Sequence, residues 1–150
     1  MRFFLGIDPG QSGGWAIIDE DIGFVDGHLF SEADFTENRC INNAAYRFEL
    51  ACLEKVHSMP GNGVSSMFKF GENFGWWQGV MDALSIPYEL ITPQRWMKTV
   101  LDSGDRSPEH RMAFAKRRWP DAPLTRKKDS GVADALCLAE YARRQIMGNT

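Results

Sequence analysis

Four carboxylates stand where a folded chain has little use for a free charge. Asp8 closes the apolar run Phe3–Ile7 and precedes Pro9-Gly10. Glu54 lies inside Leu50-Ala51-Cys52-Leu53-Glu54-Lys55-Val56, a run that reads as an interior strand. Asp134 interrupts Val132-Ala133-Asp134-Ala135-Leu136, and Asp129 falls just before the same helical stretch. Burying an acid is unfavourable unless it is paired or binds a metal. Clustered Asp and Glu side chains can hold two divalent ions ~4 Å apart, which activate a water and relieve charge on the leaving oxygen in phosphodiester hydrolysis. Hard oxygen ligands suit Mg²⁺, with Mn²⁺ as a substitute. Asp8, Glu54, Asp129 and Asp134 are therefore candidate catalytic residues and metal ligands. Each also has a plainer role open to it. Asp8 can be a turn former, Glu54 can pair with a basic residue, Asp129 can cap a helix or sit on the surface, and Asp134 can complement a helix dipole.

The elements that must position these acids follow from periodicity. Residues 2–8 alternate as a strand; Trp15–Ile18 and Gly23–Phe30 supply two more. Their short connections predict an antiparallel meander. Asn38–Tyr46 reads as a helix and Phe48–Val56 as a strand covered on both faces. A Pro/Gly/Ser-rich loop leads to a helix capped by Ser65 or Ser66 and running to about Leu84. In that helix Gly71, Gly75 and Gly79 recur every four residues. They cost about 1 kcal/mol each relative to alanine, so a close approach to the sheet or to a partner chain is expected on that face. Tyr88–Ile91 is a short strand, Thr92-Pro93 a helix start, and Pro108–Arg118 and Ser130–Met147 are further helices. This order predicts one α/β domain over residues 1–150, with a central mixed sheet flanked by helices.

Composition is ordinary for a soluble globular protein, with 43% hydrophobic and 25% charged residues. No apolar run approaches the ~20 residues that span a bilayer. The opening residues carry too short an apolar stretch for a signal peptide, so the expectation is a cytoplasmic protein with no membrane partner. Cys40, Cys52 and Cys137 are widely spaced and read as reduced, buried thiols. The net charge is −3. Residues 106–128 nevertheless collect Arg106, Arg111, Lys116, Arg117, Arg118, Arg126, Lys127 and Lys128 against Glu109 and Asp121. Such a stretch suits either a DNA-facing surface or a solvated helix face.

Three segments resemble the motifs of RuvC-type Holliday-junction resolvases: Gly6-Ile7-Asp8-Pro9-Gly10, Leu53-Glu54-Lys55-Val56, and Lys127-Lys128-Asp129-Ser130-Gly131-Val132-Ala133-Asp134-Ala135-Leu136. The segment from Ile86-Pro87 through Thr92-Pro93 to Trp96-Met97-Lys98 and the glycine-spaced helix are also similar to the family. The likeness spans roughly residues 2–143 and looks closest to the phage and organellar branch, which for a phage-encoded protein places it in the bacterial host cytoplasm. It implies an RNase H-like fold with a five-stranded sheet, and a homodimer bound to branched DNA. It implies Mg²⁺-dependent paired nicks across a four-way junction, with two ions per active site. By position, Asp8, Glu54 and Asp134 match the family's first-strand, fourth-strand and last-helix acids. Where bacterial members carry an aspartate three residues before the last acid, this chain has Gly131; Asp129 matches the phage and organellar alternative. The loop from His57 to Lys69 matches the region that wedges into the junction centre. Met67, Phe68, Lys69 and Phe70 are thus candidate DNA contacts, since exposed aromatics stack on unpaired bases. Phe68 and Phe70 can equally be core residues of a helix start. Arg126, Lys127 and Lys128 are candidate phosphate contacts beside the acids. Other readings remain: a nucleotide-binding actin-like or sugar-kinase fragment, a related nuclease acting on flaps, other branched DNA or RNA, and a junction-binding protein without catalysis.

Overall fold

The computed structural model describes residues 1–37, 47–56, 63–102 and 104–148. The helix expected over Asn38–Tyr46 and Cys40 lie outside the described residues, as does most of the loop before Val64. Five strands form one sheet: β1 (Arg2–Asp8), β2 (Gly14–Asp19), β3 (Phe24–Leu29), β4 (Arg47–Glu54) and β5 (Tyr88–Ile91). Their spatial order is β3-β2-β1-β4-β5. The first three strands are the expected antiparallel meander, whereas β4 runs parallel to both β1 and β5. The helices are α1 (Val64–Ala83), α2 (Pro93–Val100), α3 (Pro108–Arg118) and α4 (Ser130–Met147).

The sheet has two buried faces, as the unbroken apolar runs of β1 and β4 require. Phe3, Leu5, Ile7, Ala51 and Leu53 pack with Trp77 and Met81 of α1. Phe4, Leu50 and Cys52 pack on the opposite side with Trp96 of α2, Phe114 of α3 and the length of α4. Side chains alternate along a strand, so Phe4, Gly6 and Asp8 share the α4 face. Leu50, Cys52 and Glu54 share it too. The register pairs Ile7 with Leu53, which sets Asp8 and Glu54 on the next rung of neighbouring parallel strands.

α2 and α3 begin as read, on Thr92 and Ser107, whose hydroxyls accept from the Arg95 and His110 amides. α1 differs. Its cap is Gly63, with no side-chain cap bond, so neither Ser65 nor Ser66 starts it. The buried residues of α1 are Asn73, Trp77 and Met81. The glycines are offset from these by half a turn, and a methyl at Gly71, Gly75 or Gly79 would meet nothing within 4 Å. The sheet is therefore not what the glycine face approaches within this chain. Cys52 and Cys137 are buried free thiols, and burial pushes both pKa values up. Among the described residues no helix is long and apolar enough to cross a membrane.

At Gly6 the packing is backbone on backbone. A methyl on Gly6 would fall on the Ala135 carbonyl and the Ala139 amide of α4. Gly6→Ala must push helix and sheet apart, and overpacking of this kind costs roughly 1–3 kcal/mol, occasionally more. Urea unfolding should place Gly6→Ala at or above the upper end of that range.

Candidate active site

Three of the four acids gather at one end of the sheet. Asp8 and Glu54 arrive on adjacent strand ends, and Asp134 comes down from the second turn of α4. Asp8 and Glu54 are within hydrogen-bonding reach of each other, and each carboxyl is raised by the nearby charge of Asp134. Burial is the largest cause of the shift at all three acids and moves all three upward. At Asp8 the charges of Asp134 and Glu54 add to it. At Glu54 the Trp96 indole opposes burial, donating from Nε1 to Oε2 at 2.6 Å. At Asp134 the opposition comes from Arg111, whose Nε and Nη2 donate to Oδ1 and Oδ2 at 2.9 and 3.2 Å.

The turn after Asp8 needs its glycines. Gly10 has φ of +107°, a region that side chains disfavour. Its amide donates to Asn73 Oδ1 of α1 at 2.7 Å, a buried bond between the two faces of the site. On the other side, a methyl on Gly131 would stand 2.8 Å from the Ser12 carbonyl oxygen and 3.0 Å from the Gly13 carbonyl carbon. The start of α4 thus rests directly on the turn, which brings Asp134 above Asp8 and leaves no room for a side chain at position 131.

Asp129 is placed differently. It is buried at 1% exposure, and its carboxylate accepts from the Thr125 and Arg126 amides at 3.1 and 2.8 Å. The Arg126 guanidinium adds a bond of 2.8 Å. Burial works to raise its pKa, but Arg126 and the amides outweigh it and hold the carboxyl low. Asp129 is not among the charges that shift Asp8, Glu54 or Asp134. In this arrangement its carboxylate is engaged by the turn before α4 and by Arg126.

The basic residues before Asp129 divide. Arg126 is forked onto Glu32 at 2.9 and 3.0 Å, and Lys128 reaches the same carboxylate at 3.1 Å. Lys127 is exposed and has no ion pair among the described residues; with Lys116, Met112, Ala113 and Ser130 it lines a cavity of about 530 Å³ between α3 and α4. On α1, Met67 and Phe68 are 40% and 69% exposed, and Lys69 is exposed as well. Phe70 is partly buried, stacked on Phe74 and lying over Gly10. Of the two aromatics, Phe70 has the packed position and Phe68 the open one.

Sequence reasoning singled out neither Arg111 nor Trp96 as a site residue. Trp96 was visible only as part of a family-like segment. Arg111 was one cation in a basic stretch, and nothing in the spacing pairs it with an acid 23 residues further on.

Among the described residues, no three His, Cys, Asp or Glu side chains are gathered so as to hold a metal ion as they stand. Asp8 and Glu54 turn to each other, and Asp134 turns to Arg111. The donor chemistry still fits a hard divalent ion. Asp8, Glu54 and Asp134 offer oxygen ligands only, all three carboxyls are raised by burial, and among the described residues Arg111 is the cation whose charge opposes the shift at each.

Two solved structures are similar to this one. One is Thermus thermophilus RuvC in complex with a Holliday junction substrate, at 16% identity and a TM-score of 0.71, covering 99% of this chain and 97% of that one. The other is a Thermus thermophilus RuvC structure, at 18% identity and a TM-score of 0.69, covering 98% and 97%. No family model matches the sequence, and no curated protein matches it. At these identities the likeness is one of fold. The chain has a RuvC-like fold of the RNase H-like class, a mixed five-stranded sheet flanked by helices.

The acid cluster has a signature in stability. A raised pKa means that the folded chain holds a proton that the unfolded chain releases, so stability falls as pH rises from the unfolded carboxylate value through the raised one. Asp8→Asn removes that loss. In EDTA the variant should melt above wild type at about pH 8, with the gap closing toward ~pH 4, where unfolded carboxylates take up protons. Scanning calorimetry across that range checks the sign.

Proposed function

We propose that this chain is a metal-dependent endodeoxyribonuclease that resolves four-way DNA junctions as a homodimer. The observation that carries the reading is the placement of Asp8 and Glu54 on one rung, with Asp134 above them, on a RuvC-like fold. Bound Mg²⁺, two ions per site or Mn²⁺ in its place, supplies an activated water and stabilises the leaving oxygen. Asp8, Glu54 and Asp134 hold the metal; Asp129 joins only if it leaves Arg126. Trp96 fixes the Glu54 carboxylate. Lys127 is the cation of its trio free for a phosphate, and such a contact positions DNA without reading sequence. Arg126 and Lys128 reach DNA by giving up Glu32. Phe68, flanked by Met67 and Lys69, is the side chain open to stack on bases at the branch point, while Phe70 supports it from below. The crowding at Gly131 supports the phage and organellar acid pattern over the bacterial one. The same reading takes the protein to be cytoplasmic.

A synthetic four-way junction with Mg²⁺ tests the activity, with flap DNA and an RNA duplex as competing substrates. Wild type should nick the junction in symmetry-related strands and leave the others largely intact. Asp8→Asn and Glu54→Gln should each lower cleavage at least about a hundredfold, the scale set by losing one group that acts only on the transition state, with junction binding retained. Preferential cutting of flaps or RNA would replace the junction reading with that of a related nuclease.

Paired nicks need two sites related by a two-fold axis. The exposed glycine face of α1 is the smooth surface available for a second copy. Gly75→Leu should shift the protein toward monomer in sedimentation velocity at micromolar concentration. A tight dimer in that variant would place the interface elsewhere.

A further inference from the structure

Arg111 occupies both oxygens of Asp134. It stands at the end of the first turn of α3 with its side chain 16% exposed, against 13% for Asp134. Its third donor, Nη1, is held by the Arg106 carbonyl at 2.8 Å. Burial opposes its charge, yet Asp134, Glu54 and Asp8 together outweigh burial. A divalent ion at this site needs at least one Asp134 oxygen, so the ion and the guanidinium compete for the same atoms.

We propose that Arg111 is a placeholder cation. It holds Asp134 in the metal-free protein, is displaced when a divalent ion takes that carboxylate, and then grips a DNA phosphate oxygen. The proposal rests on the reading of Asp8, Glu54 and Asp134 as a metal centre. A half-buried guanidinium that loses one forked partner needs another, and phosphate matches its fork as carboxylate does. The Arg106 carbonyl keeps the side chain at the mouth of the site while it changes partner. Metal and DNA then assist each other, because DNA takes up the cation that the metal expels, and the coupling is reciprocal.

Binding measurements without turnover test this. Free Mn²⁺ is followed by electron paramagnetic resonance with the full chain, wild type and Arg111→Met, in the absence of DNA. The variant should bind Mn²⁺ about tenfold more tightly, within the usual span of such couplings. In wild type, Mg²⁺ should shift the Arg111 Nε–Hε resonance, a readout that needs no variant. Junction affinity should rise with Ca²⁺ in wild type and rise much less in Arg111→Met. Arg111→Lys, which keeps the charge but not the fork, should bind Mn²⁺ with intermediate affinity and serves if the methionine variant fails to fold. Unchanged or weaker Mn²⁺ binding in a folded variant overturns the placeholder and leaves the metal centre standing. No Mn²⁺ binding by any form, with an unmoved Arg111 resonance, overturns both.

Discussion

Helix α4 meets β1 and the turn after it with no side chain between them. Gly6 faces the Ala135 carbonyl and the Ala139 amide, and Gly131 faces the backbone of Ser12 and Gly13. Two backbones can approach this closely only where Cβ atoms are missing. That contact fixes the height and rotation of α4 over the sheet, and with them the position of Asp134. The strand pleat does the rest, since Asp8 and Glu54 emerge on the α4 face by alternation alone. Moving the helix outward by the width of a methyl would lift Asp134 from the other two acids and loosen the core that α4 packs on the sheet.

The cluster is electrostatically unfinished without a cation. Burial raises all three carboxyls, the charge of Asp134 raises Asp8 and Glu54 further, and Arg111 opposes the shift at each. Trp96 steadies Glu54 from the apolar side, a bond that fixes direction without adding charge. Asp129 is satisfied elsewhere, by two amides and by an arginine that Glu32 also holds. The two aspartates at the start of α4 are therefore held differently: Asp129 by two backbone amides and Arg126, Asp134 by the fork of Arg111.

Much of this was legible in sequence because it rests on period and punctuation. β1 and β5 lie where they were expected, α2 starts at Thr92-Pro93, α3 and α4 keep their expected bounds, and the short connections foretold the meander. Asp8 and Glu54 stood out as acids inside apolar strands. What escaped was set by contacts between distant segments. Asp129 and Asp134 look alike along the chain, and only the arginine each one meets separates them. Arg111 and Trp96 act across 23 and 42 residues, distances no local pattern reports. The α1 start was misread because Gly63 caps without a side-chain bond, leaving no hydroxyl signal.

The buried bond from the Gly10 amide to Asn73 gives α1 a mechanical role. Phe68 lies five residues before Asn73, about 7.5 Å along the helix axis at 1.5 Å per residue. Asn73 is thus a fulcrum. Through this bond a displacement of α1 at Asn73 acts on the Gly10 peptide, two residues beyond Asp8. The seating of α1 and the shape of the turn that follows Asp8 are therefore coupled.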